Sequence, residues 1–529
     1  MKRVQRTALW CAAVCAAAVV CGAVRADALV LRGQFPVYNG MYWNFSDNAT
    51  RQQMTWAVLG RFARSDVGPL IVLARQGSGF VALKEEWDGL YLCGEYRVDG
   101  FTIPEKPVMF MPFVVDFDKP VVNTTRMRVY AAGETPRVLE DYDYSVTMEL
   151  QALEDIDIEG REIRNCAVLV KKIRSRQAES TETFWLAPTI GPVKISFEEA
   201  GAVRAYTMQT YRNDRGAPGK EFSLEKYFPL KPGTAYDYRD QNGNLVSSVF
   251  GAQSERLGWQ TIAYTDPEGD VYYLSRDDRG LILPLKYRAA MGFGFGTLPP
   301  DKPPLLLPAR TAVGRLNQSV TYTRTVQWPS LQPMLDFYPE GEIASVVTGV
   351  EDVTVPAGTY RDCIKLCVSS VNRSYDMQRE KIRTGFMWFA RGVGLVKSES
   401  VSLANTYLEE TPDYIFQNQK LELAAIRKVK LPKAANPPPP AEPKDSGSRV
   451  PAEKLVWQGN SRPMFDKAVD AAPFFVRSIV RKSLLDAVAE RAGAGGEVTE
   501  DTVIAAVQAN TPEKSRARLV GELEQMKSR

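Results

Sequence analysis

The stretch WLAPTIGPVK at residues 185–194 returns as WFARGVGLVK at residues 388–397, in the shared frame W-x-A-x-x-[IV]-G-x-V-K. Two further pairs keep the same order along the chain: FPVYNGMYW (35–43) with FPLKPGTAY (228–236), and IRNC (163–166) with YRDC (360–363). The offsets are 193 residues (35 to 228), 197 (166 to 363) and 203 (185 to 388), so they drift only by loop-sized insertions. Three ordered matches predict a duplicated unit of about 200 residues.

Each unit shows the alternation of a strand that has one buried face and one wet face. The apolar positions of the two clearest strands are Tyr142, Tyr144, Val146, Met148 and Leu150 in the first unit, and Val320, Tyr322, Val326 and Trp328 in the second. Turn sequences separate such runs. The predicted fold is therefore mainly β, with two duplicated antiparallel sheets that curve like half barrels.

The composition changes after the second unit. Residues 432–452 contain four consecutive prolines and many small polar residues, which predicts an extended, semi-rigid linker. Beyond it, apolar residues recur at helical spacing in three short segments, and Pro473 is placed to open the first. The predicted domains are a signal peptide at 1–26, repeat units at 27–215 and 216–431, the linker, and a helical bundle at 453–529.

The beginning of the chain has the pattern of an export signal. A basic start at residues 2–6 precedes an uncharged stretch at 7–24, and Val24 and Ala26 stand where a signal peptidase reads small side chains. We expect cleavage after Ala26 and a location in the periplasm or cell envelope. Two alternatives stay open: the apolar stretch is retained as a membrane anchor, or Cys21 carries a lipid after cleavage.

The composition excludes several function classes. The chain has no histidine, which rules out Ser-His-Asp or Cys-His catalysis and imidazole ligands for a metal. Its 66 basic and 63 acidic residues nearly cancel, so there is no general attraction to nucleic acid. We expect no cofactor, and we expect that the protein is not an enzyme.

Four cysteines follow the signal peptide. Cys363 and Cys367 lie in one predicted strand, where a four-residue step spans about 13 Å and is too long for a disulfide. Cys93 and Cys166 form the candidate disulfide of an oxidising compartment. Four buried thiols are the alternative.

Two groups of residues are candidate binding surfaces. A sheet with one apolar face must cover that face, so a curled sheet could enclose an apolar ligand instead of filling itself with its own side chains. In the tail, an aromatic pair and an arginine could dock a partner or an apolar ring compound, or could simply begin a packed helix. The candidate contacts are Tyr144, Val146, Met148, Tyr322 and Trp328 in the sheets, and Phe474, Phe475 and Arg477 in the tail.

Two parts of the chain resemble known families. FPLKPGTAYDY (228–238), VPAGTYRDC (355–363) and WFARGVGLVK resemble exported bacterial proteins of unknown function with DUF3108 or LolA/LolB-like antiparallel sheets. That resemblance extends over roughly residues 30–425 and implies a curved sheet with an apolar cavity. In the tail, Trp457 and APFFVR (472–477) resemble the C-terminal domain of proto-chlorophyllide reductase, which implies a helical module over the last 60 or so residues.

Together these patterns predict an exported envelope protein with a non-catalytic binding or carrier role. The expected ligand is an apolar small molecule or an envelope partner protein, with no nucleic acid, and peripheral association with a membrane is a further expectation. One alternative is a purely structural periplasmic protein that serves protein contacts. The other is an enzyme, such as a remnant of a pigment-related reductase suggested by the tail.

Overall fold

The computed structural model describes residues 28–64, 67–97, 99–131, 138–175, 178–212, 221–288, 293–298, 303–327, 340–374, 379–406, 415–431, 455–471, 477–492, 495–510 and 513–527. The predicted signal peptide and proline-rich linker lie outside these residues. Strands make up 67% of the structure and helices 11%, which confirms the mainly β fold class.

The first unit is built from strands β1 to β15 and a 3-10 turn at Arg32–Gln34. The strand bounds are β1 Ala28–Val30, β2 Tyr42–Asp47, β3 Gln53–Arg64, β4 Gly68–Arg75, β5 Gly79–Glu85, β6 Gly89–Tyr96, β7 Gly100–Pro104, β8 Val108–Pro112, β9 Val114–Asp116, β10 Val121–Ala131, β11 Val138–Ile158, β12 Arg161–Arg174, β13 Glu179–Ala187, β14 Gly191–Glu199 and β15 Ala202–Tyr211.

The second unit repeats this order with strands β16 to β30 and a 3-10 turn at Leu224–Lys226. The strand bounds are β16 Glu221–Ser223, β17 Thr234–Arg239, β18 Leu245–Arg256, β19 Trp259–Thr265, β20 Val271–Asp277, β21 Gly280–Arg288, β22 Phe293–Leu298, β23 Leu305–Pro308, β24 Arg310–Ala312, β25 Leu316–Gln327, β26 Glu340–Val355, β27 Gly358–Ser374, β28 Arg379–Ala390, β29 Gly394–Thr406 and β30 Ile415–Lys428.

The main sheet of each unit closes on itself. In the first unit, hydrogen-bonded neighbours run β5-β4-β3-β2-β15-β14-β13-β12-β11-β10-β7-β6, and β5 also pairs with β6. The second unit has the same order, β20-β19-β18-β17-β30-β29-β28-β27-β26-β25-β22-β21, and β20 also pairs with β21. The short strands β8 and β23 extend these sheets from β6 and β21. Both sheets are therefore barrel-like, and they are closed more completely than the half barrels that the sequence predicted.

In both units, the repeated Phe-Pro motif is hydrogen-bonded to the W-x-A-x-x-[IV]-G-x-V-K frame. The indole Nε1 of Trp43, which ends the first motif, donates to the carbonyl of Ile190 at 2.6 Å. The hydroxyl of Tyr236 donates to the carbonyl of Val393, in the same frame position, at 2.8 Å. Gly191 has a φ of +102°, which glycine adopts at low cost, and a Cβ there would lie 2.7 Å from the Trp43 Nε1 atom. Gly191 is therefore needed for both its conformation and its small size, and Gly394 shares the positive φ.

The tryptophan that begins each frame has the same surroundings in both units. Trp185 Nε1 donates to a carboxylate oxygen of Glu154 at 2.9 Å, and Trp388 Nε1 donates to Glu351 at 2.5 Å. The lysine that ends each frame pairs across the hairpin and lies over the ring, 4.1 Å from the centroid in the first unit and 4.8 Å in the second. These matching contacts and the matching strand order show that the two sheets are copies of one unit.

An apolar interface joins the two units. Its members come from the outer face of β3 to β7 in the first unit and from β27 to β29 in the second: Phe62, Leu70, Val72, Phe80, Ala82, Cys93, Tyr96 and Phe101, with Val371, Ile382, Val401 and Leu403. Polar contacts flank it, since Lys365 Nζ donates to Gln76 Oε1 at 3.3 Å and the amide of Gly77 donates to Glu399 at 3.1 Å. The units therefore bury apolar surface against each other.

The interface uses side chains that only the second unit carries. Val371 and Ile382 face each other across β27 and β28, and each is 1% exposed. Counted from the repeated motifs, the same places in the first unit hold Arg174 and Glu179, which form a solvent-exposed ion pair at 2.7 Å. The corresponding face of the first unit would therefore have to bury two charges to make the same contact. The sequence difference between the two units therefore favours contact through this face of the second unit over contact through the equivalent face of the first.

The candidate disulfide is wrong. Cys93, Cys166, Cys363 and Cys367 are all buried thiols. Cys93 belongs to the interface between the units, whereas Cys166 belongs to the core inside the first sheet, so the sheet itself separates the two sulfur atoms. Burial raises the pKa of Cys166 to about 11 and that of Cys363 to about 12. The prediction that Cys363 and Cys367 do not bond each other is confirmed.

The tail folds into helices α1 Ser461–Asp470, α2 Arg477–Ala492, α3 Glu500–Asn510 and α4 Glu513–Glu524, with a parallel pair of two-residue strands, β31 Val456–Trp457 and β32 Glu497–Val498. It has its own core, which includes Met464, Phe465, Val488, Val503 and Leu523. The sequence prediction placed the first helix at Pro473 and so missed α1, whose first turn contains a proline of its own. Within the described part of the chain, no helix is both long enough and apolar enough to cross a membrane.

Candidate functional site

A cleft of about 510 Å³ opens in the second unit, between three strands and the segment that follows the turn at Leu224–Lys226. Gln253, Ile262 and Leu274 lie side by side on β18, β19 and β20, because the antiparallel register pairs the first with the second and the second with the third. The lining residues are Glu225, Pro229, Leu230, Gln253, Gln260, Ile262, Leu274, Ser275 and Arg276. A cleft of this size is within the range that small-molecule sites occupy.

The lining of the cleft combines apolar and polar residues. Ile262, Leu274 and the Pro229-Leu230 pair supply the apolar surface. At the rim, Ser275 Oγ donates to the carbonyl of Gln260 at 2.7 Å, so both groups are held in place by the sheet. The cleft therefore combines an apolar patch with polar groups, of which Ser275 is held at a fixed position.

Arg276 is the principal charged group of the cleft. Its guanidinium donates to the carbonyl of Phe228, which ties the end of β20 to the segment after the turn. Burial lowers the pKa of Arg276, and the nearby carboxylate of Glu225 opposes that change. An arginine side chain stays charged in proteins, so the cleft contains a partly buried positive charge beside an acidic one.

The same place in the first unit has the opposite charges. Counted from the repeated Phe-Pro motif and from the strand register, Arg32 corresponds to Glu225 and Glu85 corresponds to Arg276. Arg32 and Glu85 form an ion pair at 3.5 Å. Because both charges are exchanged, the turn and the hairpin still attract each other in both units. The two places therefore share the position of the charged pair and differ in the sign of each charge.

Inside the sheet of the first unit, charged and aromatic side chains pack against one another. Lys171 Nζ lies 3.2 Å from a carboxylate oxygen of Glu182 and 5.0 Å from the centroid of the Phe110 ring. On the other side of that ring system, the guanidinium carbon of Arg75 lies 4.7 Å from the Trp56 ring. Cation–π and ionic contacts therefore hold these positive charges inside the sheet.

The residues that the sequence nominated do not line the cleft. Val146 and Met148 are buried in the core of the first unit, and Tyr144 packs partly buried against that core. Desolvation by burial raises the pKa of the Tyr144 hydroxyl. Tyr322 lies on β25, but its side chain is outside the described part of the structure. As ligand contacts these residues stay predictions, and the structure gives them no common cavity in the region it describes.

The remaining nominated residues, one in the second sheet and three in the tail, lie wholly or partly outside the described part of the structure. Trp328, Phe474 and Phe475 are outside the described residues. Arg477 is the first residue of α2, and its side chain is outside the described part as well. Their proposed role in docking a partner is therefore neither supported nor opposed by the geometry.

Sequence reasoning missed every residue that lines the cleft, although a usable signal was present. Laying the two repeats over each other reveals the reversal of Arg32 and Glu85 into Glu225 and Arg276. A paired reversal of charge at distant positions indicates spatial contact. Within the described residues, no group of three or more cysteines, aspartates or glutamates is placed to hold a metal ion.

Comparison with known proteins finds a limited likeness. The model of the DUF3108-like family matches residues 344–407, which span β27, β28, β29 and most of β26. No curated protein sequence matches the chain. Neither these results nor the structural comparison supports the resemblance of the tail to proto-chlorophyllide reductase.

Two solved structures have a detectable similarity to the chain. One is a predicted lipoprotein from Parabacteroides distasonis, with 16% identity and a TM-score of 0.20, over 38% of this chain and 98% of that one. The other is a predicted exported protein with a YmcC-like fold from Bacteroides fragilis, with 11% identity and a TM-score of 0.16, over 58% of this chain and 95% of that one. The family resemblance of the second unit is therefore carried by residues 344–407 of its sheet.

Proposed function

We propose that this chain is an exported envelope protein that binds an apolar ligand in the cleft of its second unit and catalyses no reaction. The observation that carries the proposal is the cleft itself, about 510 Å³, whose lining joins the apolar residues Pro229, Leu230, Ile262 and Leu274 with polar groups. Export is supported by the basic and apolar start of the sequence. A role without catalysis is favoured by a chain that contains no histidine.

The expected affinity follows from the area available. A small ligand that removes roughly 250 Å² of apolar surface from water gains about 6 kcal/mol. Association costs several kcal/mol in lost translational and rotational freedom, so burial alone supports binding no tighter than about millimolar. Polar anchoring at Arg276 would add to this. Such moderate affinity suits a carrier that must release what it binds.

A test begins with the protein purified from its native envelope and analysed by native mass spectrometry, where we expect a small co-purifying apolar molecule. The affinity of dodecanoate should then be measured by titration calorimetry for the parent and for Ile262→Trp, which places a large ring in the cleft. We expect saturable binding by the parent and at least a tenfold loss in the variant.

A matched pair of arginine variants controls this experiment. Arg276→Gln removes the charge at the rim, whereas Arg279→Gln removes a nearby charge that pairs with Asp277 and does not line the cleft. Only the first should weaken binding of the anionic probe. Equal effects of the two variants, or no saturable binding by the parent, would contradict the proposed site.

A structural role is the second candidate, and the filled interior of the first unit favours it. If both sheets serve only to present surfaces to an envelope protein, the chain purified from its native envelope should carry a protein partner and no small molecule. Peripheral association with a membrane would appear in the same preparation as release by salt without detergent.

A further inference from the structure

The first unit has a patch of exposed apolar side chains that shares no residue with the lining of the cleft. Its members are Val30 on β1, Trp87 in the turn between β5 and β6, and Val114 on β9, which are 56%, 84% and 47% exposed. Single exposed apolar side chains are ordinary on a protein surface. The patch therefore has a meaning only if its three members lie together.

Backbone contacts bring the three residues to one place. Val30 and Val114 stand directly opposite each other in the antiparallel pair of β1 and β9, so their side chains project from the same face of that pair. The amide of Phe113 donates to the carbonyl of Asp88 at 2.8 Å. This contact holds the turn that carries Trp87 beside the residue that precedes Val114, so the three side chains form one patch.

The equivalent positions in the second unit are all polar. The equivalence follows from repeated backbone contacts, because the amide of Ala309 donates to the carbonyl of Arg279 at 2.6 Å, and β16 pairs with β24 as β1 pairs with β9. The polar residues are Ser223 in place of Val30, Asp278 in place of Trp87 and Arg310 in place of Val114. Neither the turn nor the strand pair therefore requires apolar side chains at these positions.

The charges next to the patch are largely compensated. Lys84 Nζ lies 2.7 Å from a carboxylate oxygen of Glu86, and a guanidinium nitrogen of Arg32 lies 3.5 Å from a carboxylate oxygen of Glu85. Two of the three carboxylates around Trp87 thus have a basic partner. Because little net charge remains at the turn, the acidic residues do not keep the indole ring away from lipid headgroups.

The size of the patch favours a lipid surface over a second protein. An exposed tryptophan ring offers roughly 200 Å² of contact area, and two half-exposed valines add less. Each partner in a stable protein interface buries about 800 Å². Tryptophan is enriched where a membrane meets water, because its ring is apolar and its Nε1 group can still donate a hydrogen bond. The patch is therefore too small for a stable protein contact and has the composition of a membrane contact.

The patch is also close along the chain to the apolar start of the sequence. The uncharged stretch at 7–24 ends four residues before Ala28, the first residue of β1. A chain spans at most about 3.5 Å per residue, so β1 begins within roughly 15 Å of the end of that stretch. A membrane attachment there, or a lipid on Cys21, would hold β1 and Val30 at the bilayer surface.

We propose that the patch of Val30, Trp87 and Val114 inserts into the surface of a lipid bilayer, with the Trp87 ring at the level of the headgroups. The contact is reversible, because the affinity of a surface-bound protein scales with the apolar area that it buries in the interface. The second unit, which has polar residues at the same three positions, makes no such contact.

The test is flotation of the mature protein, beginning at Asp27 and without a lipid, with vesicles of phosphatidylcholine. We expect the parent to float, and we expect Trp87→Asp, which introduces the residue of the second unit, to lower the partition coefficient at least about tenfold. Leu245→Asp is the matched control, because Leu245 is 66% exposed on β18 and lies outside the patch. It should float like the parent. A parent that does not float, or equal losses in the two variants, would overturn the proposal.

A second measurement locates the inserted ring. Vesicles of brominated phosphatidylcholine should quench part of the tryptophan fluorescence of the parent. Trp87→Phe keeps an aromatic ring, so we expect it to float without that quenching; circular dichroism checks that each variant is folded. Quenching that persists in Trp87→Phe would place the insertion elsewhere and overturn the proposal. A parent that is dimeric by light scattering, with a monomeric Trp87→Asp variant, would assign the patch to a second copy and overturn it as well.

Discussion

The interface between the two units offers the sharpest test of the fold, through the substitution Ile382→Glu. Ile382 is 1% exposed and packs with Val371, Val401 and Leu403 against aromatic residues of the first unit. In the first unit the equivalent residue is Glu179, whose side chain is exposed. The substitution therefore gives the second copy the residue that the first copy already tolerates.

The size of the effect follows from the burial of the side chain. Removing a fully buried isoleucine forfeits about 2 kcal/mol of apolar transfer free energy. Leaving a carboxylate unpaired in the interface adds about 3 kcal/mol or more. The total of roughly 5 kcal/mol approaches the whole stability of an ordinary domain. We expect the units to separate while each sheet stays folded.

Differential scanning calorimetry on the mature protein is the assay. The parent should unfold with its two sheets coupled, and Ile382→Glu should split the transition into two, the first at lower temperature. Glu179→Ile is the matched control and should shift stability by less than about 1 kcal/mol, since it alters an exposed ion pair. A single transition at the parent temperature in Ile382→Glu would refute the assignment of this surface as an interface.

Three further predictions concern groups away from the cleft. Burial raises the pKa of Asp266, so ionisation of this carboxyl destabilises the folded state at pH values above its ordinary pKa of 3.8. Asp266→Asn should therefore raise Tm at pH 7, and the increase should disappear in thermal scans below pH 3.8. Peptide mapping after alkylation without reductant should find Cys93 and Cys166 as thiols, and a disulfide-linked peptide pair would contradict the structure. Terminal sequencing of the mature chain should begin at or near Asp27; a chain that keeps its first methionine would contradict cleavage, and a lipid on Cys21 would indicate a lipoprotein.

Much of the fold could be predicted because its signals are local or repeated. Alternation of polar and apolar residues needs only the geometry of a single strand. The duplication could be found because Trp43 and Tyr236 make the same hydrogen bond and because Gly191 and Gly394 both have a positive φ. The tail was predicted as helical for the same reason, although the helix at Ser461–Asp470 was missed.

The sequence could not show whether the candidate contacts share one cavity, because alternation identifies a buried face and says nothing about what fills it. Val146 and Met148 are on the inner face, as an apolar alternation predicts, yet the interior there is packed. Whether a closed sheet holds a cavity depends on side chains from strands far apart in sequence, such as Phe110 and Lys171, that meet inside it.

The amino-acid sequence was enough to predict the duplicated, mainly β architecture and export, and to exclude histidine chemistry. The positions of Cys93 and Cys166 on opposite sides of a sheet, the contact of the units through one face of each, and the cleft in the second copy became visible only in the folded chain. The difference lies in how far apart along the chain the interacting residues are. Strand periodicity and turn conformation depend on neighbouring residues. A cavity or an interface depends on side chains that are distant in sequence and that meet only when the sheet closes.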